Sequence, residues 1–318
     1  TTGEIPTPGP GQLRLRTLWL GMDSLLYARV QRVSVQQGEP IRLKDVMEGP
    51  AVGRVDVSNH PDFQAGELVS GYWGWQDYAI SSGRRLRKLD FGIQRPSLAL
   101  GAYGMPGFGA YIALERLAPP AFGETVVVGT ALGGLGQTAG QIAKIKGCRV
   151  VGVAGSAEKC QLAVEKLGFD VCLNHEAKDF AEQLKAACPK GIDVYVDTIG
   201  GKVLDAVVPL LNLKARIAAC GLMATPHFGE AAFKGRYTQT MSFMFELINR
   251  RVSIQGLVAF DHLRDKLADF HRDMKAWIDA GKVTPMEDVV VGLENAPAAF
   301  HDIFEGRNRG KRIVKVAE

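Results

Sequence analysis

The segment Thr125-Val126-Val127-Val128-Gly129-Thr130-Ala131-Leu132-Gly133-Gly134-Leu135-Gly136 constrains this chain more than any other. An apolar run enters a glycine-rich turn, and Gln137 to Lys146 continues with helical character. Glycines at such a turn let backbone approach an anion closely. The helix start then offers unpaired N–H groups and a positive dipole end to a pyrophosphate. As a Gly-x-Gly-x-x-Gly pattern the match is imperfect, because Ala131 stands where the first glycine belongs. What gives it weight is its context of strand before and helix after. The segment predicts a dinucleotide-binding βαβ unit.

The surrounding sequence agrees. After Thr125–Gly129, strand-like runs at Arg149–Ala154, Val171–Leu173, Ile192–Asp197, Ile217–Cys220 and Val252–Gly256 alternate with helix-like stretches, among them Glu158–Leu167 and Phe180–Ala187. Parallel strands need crossover connections, so this grammar predicts a doubly wound parallel α/β sheet. Residues 1 to about 98 read differently. Leu13–Arg16 and Gly53–Val57 alternate apolar and charged residues, and Gly and Pro recur at short intervals, as in a domain of short strands. At the end, Asp288–Val291 and Arg312–Val316 read as strands around a helix at Asn295–Phe304. Periodicity does not say whether they return to the first domain.

The end of the second strand bears on which dinucleotide is bound. An NAD site places an acid there to accept from the ribose 2′-hydroxyl. Here Val153-Ala154-Gly155-Ser156 carries none. Small residues followed by Lys159 would admit and pair with a 2′-phosphate, whereas a carboxylate would repel it. Lys159 is either that cation or a plain surface lysine, and the segment as a whole favours NADP(H).

Bulk properties exclude other classes. A net charge of +4 over 318 residues is mild, and the one dense basic run, Arg84, Arg85, Arg87 and Lys88, reads as a solvated loop rather than a nucleic-acid surface. The five cysteines, Cys148, Cys160, Cys172, Cys188 and Cys220, are dispersed, without Cys-x-x-Cys spacing. This suits reduced thiols in a cytoplasmic protein. No window suggests a membrane span or a signal-peptide core. The numbering opens on Thr1, which leaves room for native residues ahead of it.

Zinc alcohol dehydrogenases carry a Gly-His-Glu motif before a Gly-x-Val strand. The corresponding Glu48-Gly49-Pro50-Ala51-Val52-Gly53 has neither that histidine nor the ligand-side carboxylate, and the six histidines show no ligand spacing. No metal site is expected. Without a Lewis acid, an alkoxide is hard to stabilise. An activated alkene asks less, because hydride addition to its β-carbon leaves a delocalised enolate that hydrogen bonds can hold.

Several runs together carry a family likeness: Gly74-Trp75-Gln76-Asp77-Tyr78, Met105-Pro106-Gly107 before Ala110-Tyr111, Gly140-Gln141-Ile142-Ala143-Lys144, Gly191-Ile192-Asp193-Val194-Tyr195, Gly292-Leu293-Glu294-Asn295-Ala296-Pro297 and Gly306-Arg307-Asn308-Arg309-Gly310-Lys311. Over nearly its whole length the chain resembles the zinc-independent medium-chain dehydrogenases/reductases, the branch of leukotriene/prostaglandin, alkenal and curcumin reductases. The resemblance implies a GroES-like β-barrel substrate domain over 1–107, completed by 285–318, and a Rossmann NADP-binding domain over 108–284. It implies that Gly133, Gly134, Leu135 and Gly136 hold the pyrophosphate. Gly155, Ser156, Lys159 and His175 would then surround the adenosine phosphate, with His175 where relatives have tyrosine. Thr198, Cys220, Gly221, Leu257, Val258 and Asn308 would line the rest of the cofactor. A homodimer through the sheet edge near Val252–Val258 is implied by the same analogy.

The substrate half departs from the family. Its Asp-Pro-Tyr-Met-Arg run appears as Asp23-Ser24-Leu25-Leu26-Tyr27, Gly109 replaces a threonine, and Pro226 stands where plant reductases have a tyrosine. The catalytic residue is unknown. Tyr27 and Tyr237 are the candidate proton donors, each alternatively a packed aromatic, and solvent is a third proton source. The expected function is NADPH-dependent reduction of the activated C=C bond of an enone or alkenal. The alternatives are an NADPH:quinone reductase and an NADPH-binding sensor of low turnover.

Overall fold

The computed structural model describes residues 3–30, 41–42, 45–89, 92–93, 95–223 and 240–318. They fall into two compact units, one of residues 1–104 with 287–318 and one of residues 105–286.

The first unit opens with β1 (Leu13–Gly21), in which buried and half-buried positions alternate from Leu13 to Thr17, as a strand with one covered face requires. After the short helix α1 (Leu25–Val30) come β2 (Glu48–Ser58), β3 (Leu68–Gly74), β4 (Tyr78–Ser81) and β5 (Arg87–Lys88). β1 pairs antiparallel with β2 along one edge and with β4 at its start. The basic run at 84–88 is not a loop throughout. Arg87 and Lys88 form β5, where Arg87 Nη2 donates to Tyr103 O (3.3 Å) and Lys88 pairs with Glu67 (2.7 Å). A local charge count misses this, because both partners lie far along the chain.

The second unit alternates as expected. α2 (Met105–Ile112) leads to β6 (Thr125–Val128), α3 (Gly134–Ile145), β7 (Arg149–Ala154), α4 (Ala157–Leu167), β8 (Val171–Asn174), α5 (Phe180–Ala187), β9 (Ile192–Asp197), α6 (Gly201–Val207), β10 (Leu211–Ala219), α7 (Thr240–Arg250), β11 (Ser253–Gly256) and α8 (Leu263–Asp279). The strands form one parallel sheet in the order β11-β10-β9-β6-β7-β8. All four residues of β6 are buried, as in a strand covered on both faces. The core beneath includes Val127, Val151, Tyr195, Val203 and Leu211. β10 begins six residues before the expected Ile217. Lys214 sits at φ +62° and the register shifts between Leu211 and Arg216, so an irregularity hides the alternation.

The chain then re-enters the first unit. β12 (Glu287–Val291) and β13 (Lys311–Lys315) run parallel, joined through α9 (Ala296–Phe304). β13 pairs antiparallel with β1, Trp19 opposite Lys315. Leu13, Leu15, Met22, Trp73, Ala296 and Val314 pack into one core, in which Trp73 Nε1 donates to Thr17 Oγ1 (3.0 Å).

Candidate functional site

In the parallel sheet the strand order reverses between β6 and β9: β7 and β8 lie to one side, β10 and β11 to the other. Open α/β sheets bind ligands at such a switch point, beyond the carboxyl ends of the strands. The turn after β6 and the turn after β9 meet there. Thr130 Oγ1 and Thr198 Oγ1 are 2.8 Å apart and share a hydrogen bond. Thr130 has φ +43°, and Gly129 is packed so closely on Thr198 that a Cβ would lie 2.6 Å from its hydroxyl oxygen.

The glycine turn closes through Gly133 N donating to Thr130 O (2.7 Å). Helix α3 starts at Gly134, three residues earlier than its sequence suggests, so Gly134, Leu135 and Gly136 form its first turn. Low helix propensity hides glycines from a periodicity argument. Gly133 is the N-cap and no side chain caps this helix. Its leading N–H groups are therefore left for an external acceptor. A Cβ on Gly136 would run into the Thr130 carbonyl oxygen, so the turn has no room for a side chain there. This cradle fits a dinucleotide pyrophosphate.

At the end of β7, Gly155 is exposed and Ser156 caps α4 by accepting from Lys159 N (3.3 Å). His175 follows β8, and its N donates to Ala154 O (3.0 Å), which brings its ring beside Gly155. Gly155, Ser156, Lys159 and His175 are thus brought together, and no carboxylate stands at the strand end itself. Burial lowers the imidazole pKa, Glu176 opposes that, and Lys202 and Lys159 add to it.

On the β9 side, Asp197 is buried and organises its neighbours. Its Oδ1 accepts from Tyr195 Oη (2.9 Å), Ile199 N (2.9 Å) and Gly200 N (2.8 Å), while its carbonyl oxygen accepts from Cys220 N and Gly221 N. Thr198, Cys220 and Gly221 are therefore one backbone-linked group. Burial, with the Asp197 charge, pushes the Cys220 thiol up to about 12. Leu257 N donates to Ala219 O (2.9 Å), placing Leu257 and Val258 just past the edge strand. A Cβ on Gly109 would contact Leu135 Cδ1 at 3.3 Å and Leu257 Cδ2 at 3.4 Å, so a larger side chain here would crowd both leucines.

The remaining candidates belong to the first unit or fall outside the described residues. Asn308 belongs to the first unit, where its Nδ2 donates to Gly310 O (2.9 Å). Tyr27, on α1, packs its ring on Phe304 at 4.4 Å and Phe300 at 6.4 Å. Tyr237 and Pro226 lie outside the described residues. Among the described residues no three His, Cys, Asp or Glu side chains gather into a metal-ligating group, and no helix is long and apolar enough to cross a membrane. Sequence reasoning missed Thr130, Glu176 and Lys202. Each acts through a contact on another element, and no local motif announces it.

Comparison with known proteins places this geometry among others. Residues 134–276 match a family model described as zinc-binding dehydrogenase, and residues 1–89 one described as the N-terminal domain of oxidoreductase. The NADPH-dependent curcumin reductase of Escherichia coli (strain K12) is 46% identical over 314 residues, 99% of this chain and 90% of that protein. The 2-alkenal reductase (NADP(+)-dependent) of Nicotiana tabacum is 37% identical, over 97% of this chain and 88% of its own. CurA from Vibrio vulnificus in complex with NADPH superposes with a TM-score of 0.93 at 43% identity, covering 100% of this chain and 94% of that one.

Proposed function

Because this chain belongs to the zinc-independent family of medium-chain dehydrogenases/reductases, we propose that it binds NADPH along the carboxyl edge of its parallel sheet and reduces the activated C=C bond of enones or alkenals. The single observation that carries the reading is the cradle of Gly133–Gly136, uncapped and without room for a side chain at Gly136, beside the strand end Val153-Ala154-Gly155-Ser156, which carries no acid. Gly133, Gly134, Leu135 and Gly136 hold the pyrophosphate, and Gly155, Ser156, Lys159 and His175 the 2′-phosphate. Thr198, Cys220, Gly221, Leu257 and Val258 line the nicotinamide side. Bound NADPH supplies the hydride. The protein's part is to position the alkene, exclude water and hydrogen-bond the enolate oxygen.

Cys220 lines this site as a neutral thiol, so it takes no part as a nucleophile. Water is assigned as the proton source. Tyr27→Phe and Tyr237→Phe test this, since loss of a dedicated acid costs about 10²–10⁴-fold in rate and the expected loss here is below about tenfold. We further place the protein in the cytoplasm, in keeping with its unpaired cysteines. We assign it a homodimer built on β11, an edge strand exposed along its length.

The deciding experiment follows the loss of NADPH absorbance with enones, alkenals and quinones, with NADH in parallel and with and without a chelator. Chelator-resistant turnover of enones with NADPH preferred is expected. Turnover of quinones alone would move the assignment to quinone reduction. NADPH binding without turnover would make the chain a sensor.

A further inference from the structure

Three charged side chains converge on the His175 imidazole. Strand register pairs Ala154 with Asn174, and the next residue, His175, donates its N–H back to Ala154 O (3.0 Å). The ring is thereby fixed at the β7 turn, with Nε2 3.5 Å from the position a Cβ on Gly155 would take. The other ring nitrogen, Nδ1, lies 2.9 Å from Glu176 Oε1, and Glu176 Oε2 accepts from Lys202 Nζ at 2.9 Å. Lys202 comes from the first turn of α6, and Lys159 from the first turn of α4. One carboxylate therefore bridges an imidazole and an ammonium, while the opposite edge of that imidazole faces the strand end.

We propose that His175 is a proton-linked specificity residue: it takes up a proton as the 2′-phosphate arrives and grips it as an imidazolium, with Glu176 and Lys202 as positioning residues. The inference rests on the NADPH reading above. In the free protein, burial and the two lysines favour the neutral ring. A dianionic phosphate near Nε2 reverses that balance, because an opposite charge within a few ångström favours the charged form. The imidazolium donates Nε2–H to the phosphate, a charge-assisted hydrogen bond, while the Glu176 carboxylate 2.9 Å from Nδ1 balances its charge. Without Lys202, the Glu176 carboxylate would repel the incoming phosphate; the ion pair removes that penalty. The proton comes from solvent, and no covalent bond changes.

The sign follows from linkage. The imidazole pKa is higher in the complex than in the free protein, so binding takes up protons between the two values. NADPH affinity then falls as pH rises through that window. NADH lacks the 2′-phosphate and shows neither effect. A purely structural ion pair would leave binding proton-neutral.

The test is titration calorimetry on the full chain with NADPH, adenosine 2′,5′-bisphosphate and NADH, in buffers of different ionisation heat. Net proton uptake is expected with the two phosphorylated ligands and none with NADH. The NADPH Kd should weaken relative to the NADH Kd as pH rises through that window, by up to about tenfold per pH unit. His175→Gln should abolish the uptake, His175→Lys should restore NADPH affinity with a flat pH profile, and Glu176→Gln should reduce the uptake. NADH binding serves as the folding control for each variant. NADPH binding without proton uptake, or uptake that survives in His175→Gln, overturns the proposal alone. Equal affinity for NADPH and NADH would overturn the NADPH reading as well.

Discussion

Thr130 holds a left-handed backbone, φ +43°, that β-branched residues seldom adopt. Such strain costs on the order of 1–3 kcal/mol and persists only where the surroundings fix it. Here the fixing contact is the hydroxyl pair with Thr198 across the sheet's switch point. Thr130→Gly relieves the strain but loses the hydroxyl, so its stability by urea unfolding should stay within about 1 kcal/mol of the parent. Thr198→Val breaks the same pair without relief and should cost about 1 kcal/mol. Gly136→Ala has no room beside the Thr130 carbonyl. It should cost about 1–3 kcal/mol by overpacking and weaken NADPH binding at least tenfold by fluorescence titration. With its thiol raised to about 12, Cys220 should alkylate far more slowly than free cysteine at neutral pH, as intact-mass kinetics would show. The glycine cradle was legible in the sequence because a glycine's role in a turn is local. The Thr130–Thr198 pair was not, since its members lie 68 residues apart.

Helix α3 does more than present the cradle. Gln137 and Gln141, one turn apart and buried, pair like strand backbone with the segment that leaves the second unit. Gln137 Oε1 accepts from Met286 N (2.7 Å) and its Nε2 donates to Met286 O (3.0 Å). Gln141 does the same with Thr284, at 2.7 and 3.3 Å. Replacing either with leucine removes both of its hydrogen bonds to that segment. Each variant should lose about 1–3 kcal/mol by urea unfolding, and the pair should show more than one variant's loss. In the sequence both residues are simply polar positions on an amphipathic helix, and nothing local tells a buried amide from an exposed one. The strands were easier: β7 carries the buried run Val150–Ala154 and β9 the buried run Val194–Val196, and the limits of both are those the sequence suggests. β10 was harder, because charged Lys214 and Arg216 interrupt its pattern.

At the scale of the molecule, the parallel sheet is made from a continuous stretch of chain, residues 105–286, whereas the mixed sheet is assembled from both ends. The α/β class could be read from alternation alone. The pairing of β13 with β1 could not, since strand periodicity names no partner. A ligand seated on the continuous unit stabilises that unit first. At a concentration a hundred times Kd, NADPH should add about 2.7 kcal/mol to it, seen as an upward shift of its melting transition by calorimetry.

The two-ended sheet also sets an order of events during synthesis. β1 emerges long before β13, the strand that covers its edge. At roughly 5–20 residues per second, β1 waits on the order of 15–60 s for β13. The intervening unit has all of its strands well before then. On the ribosome, the parallel sheet therefore has every one of its strands before the mixed sheet can close, and β1 must stay unpaired along that edge in the meantime.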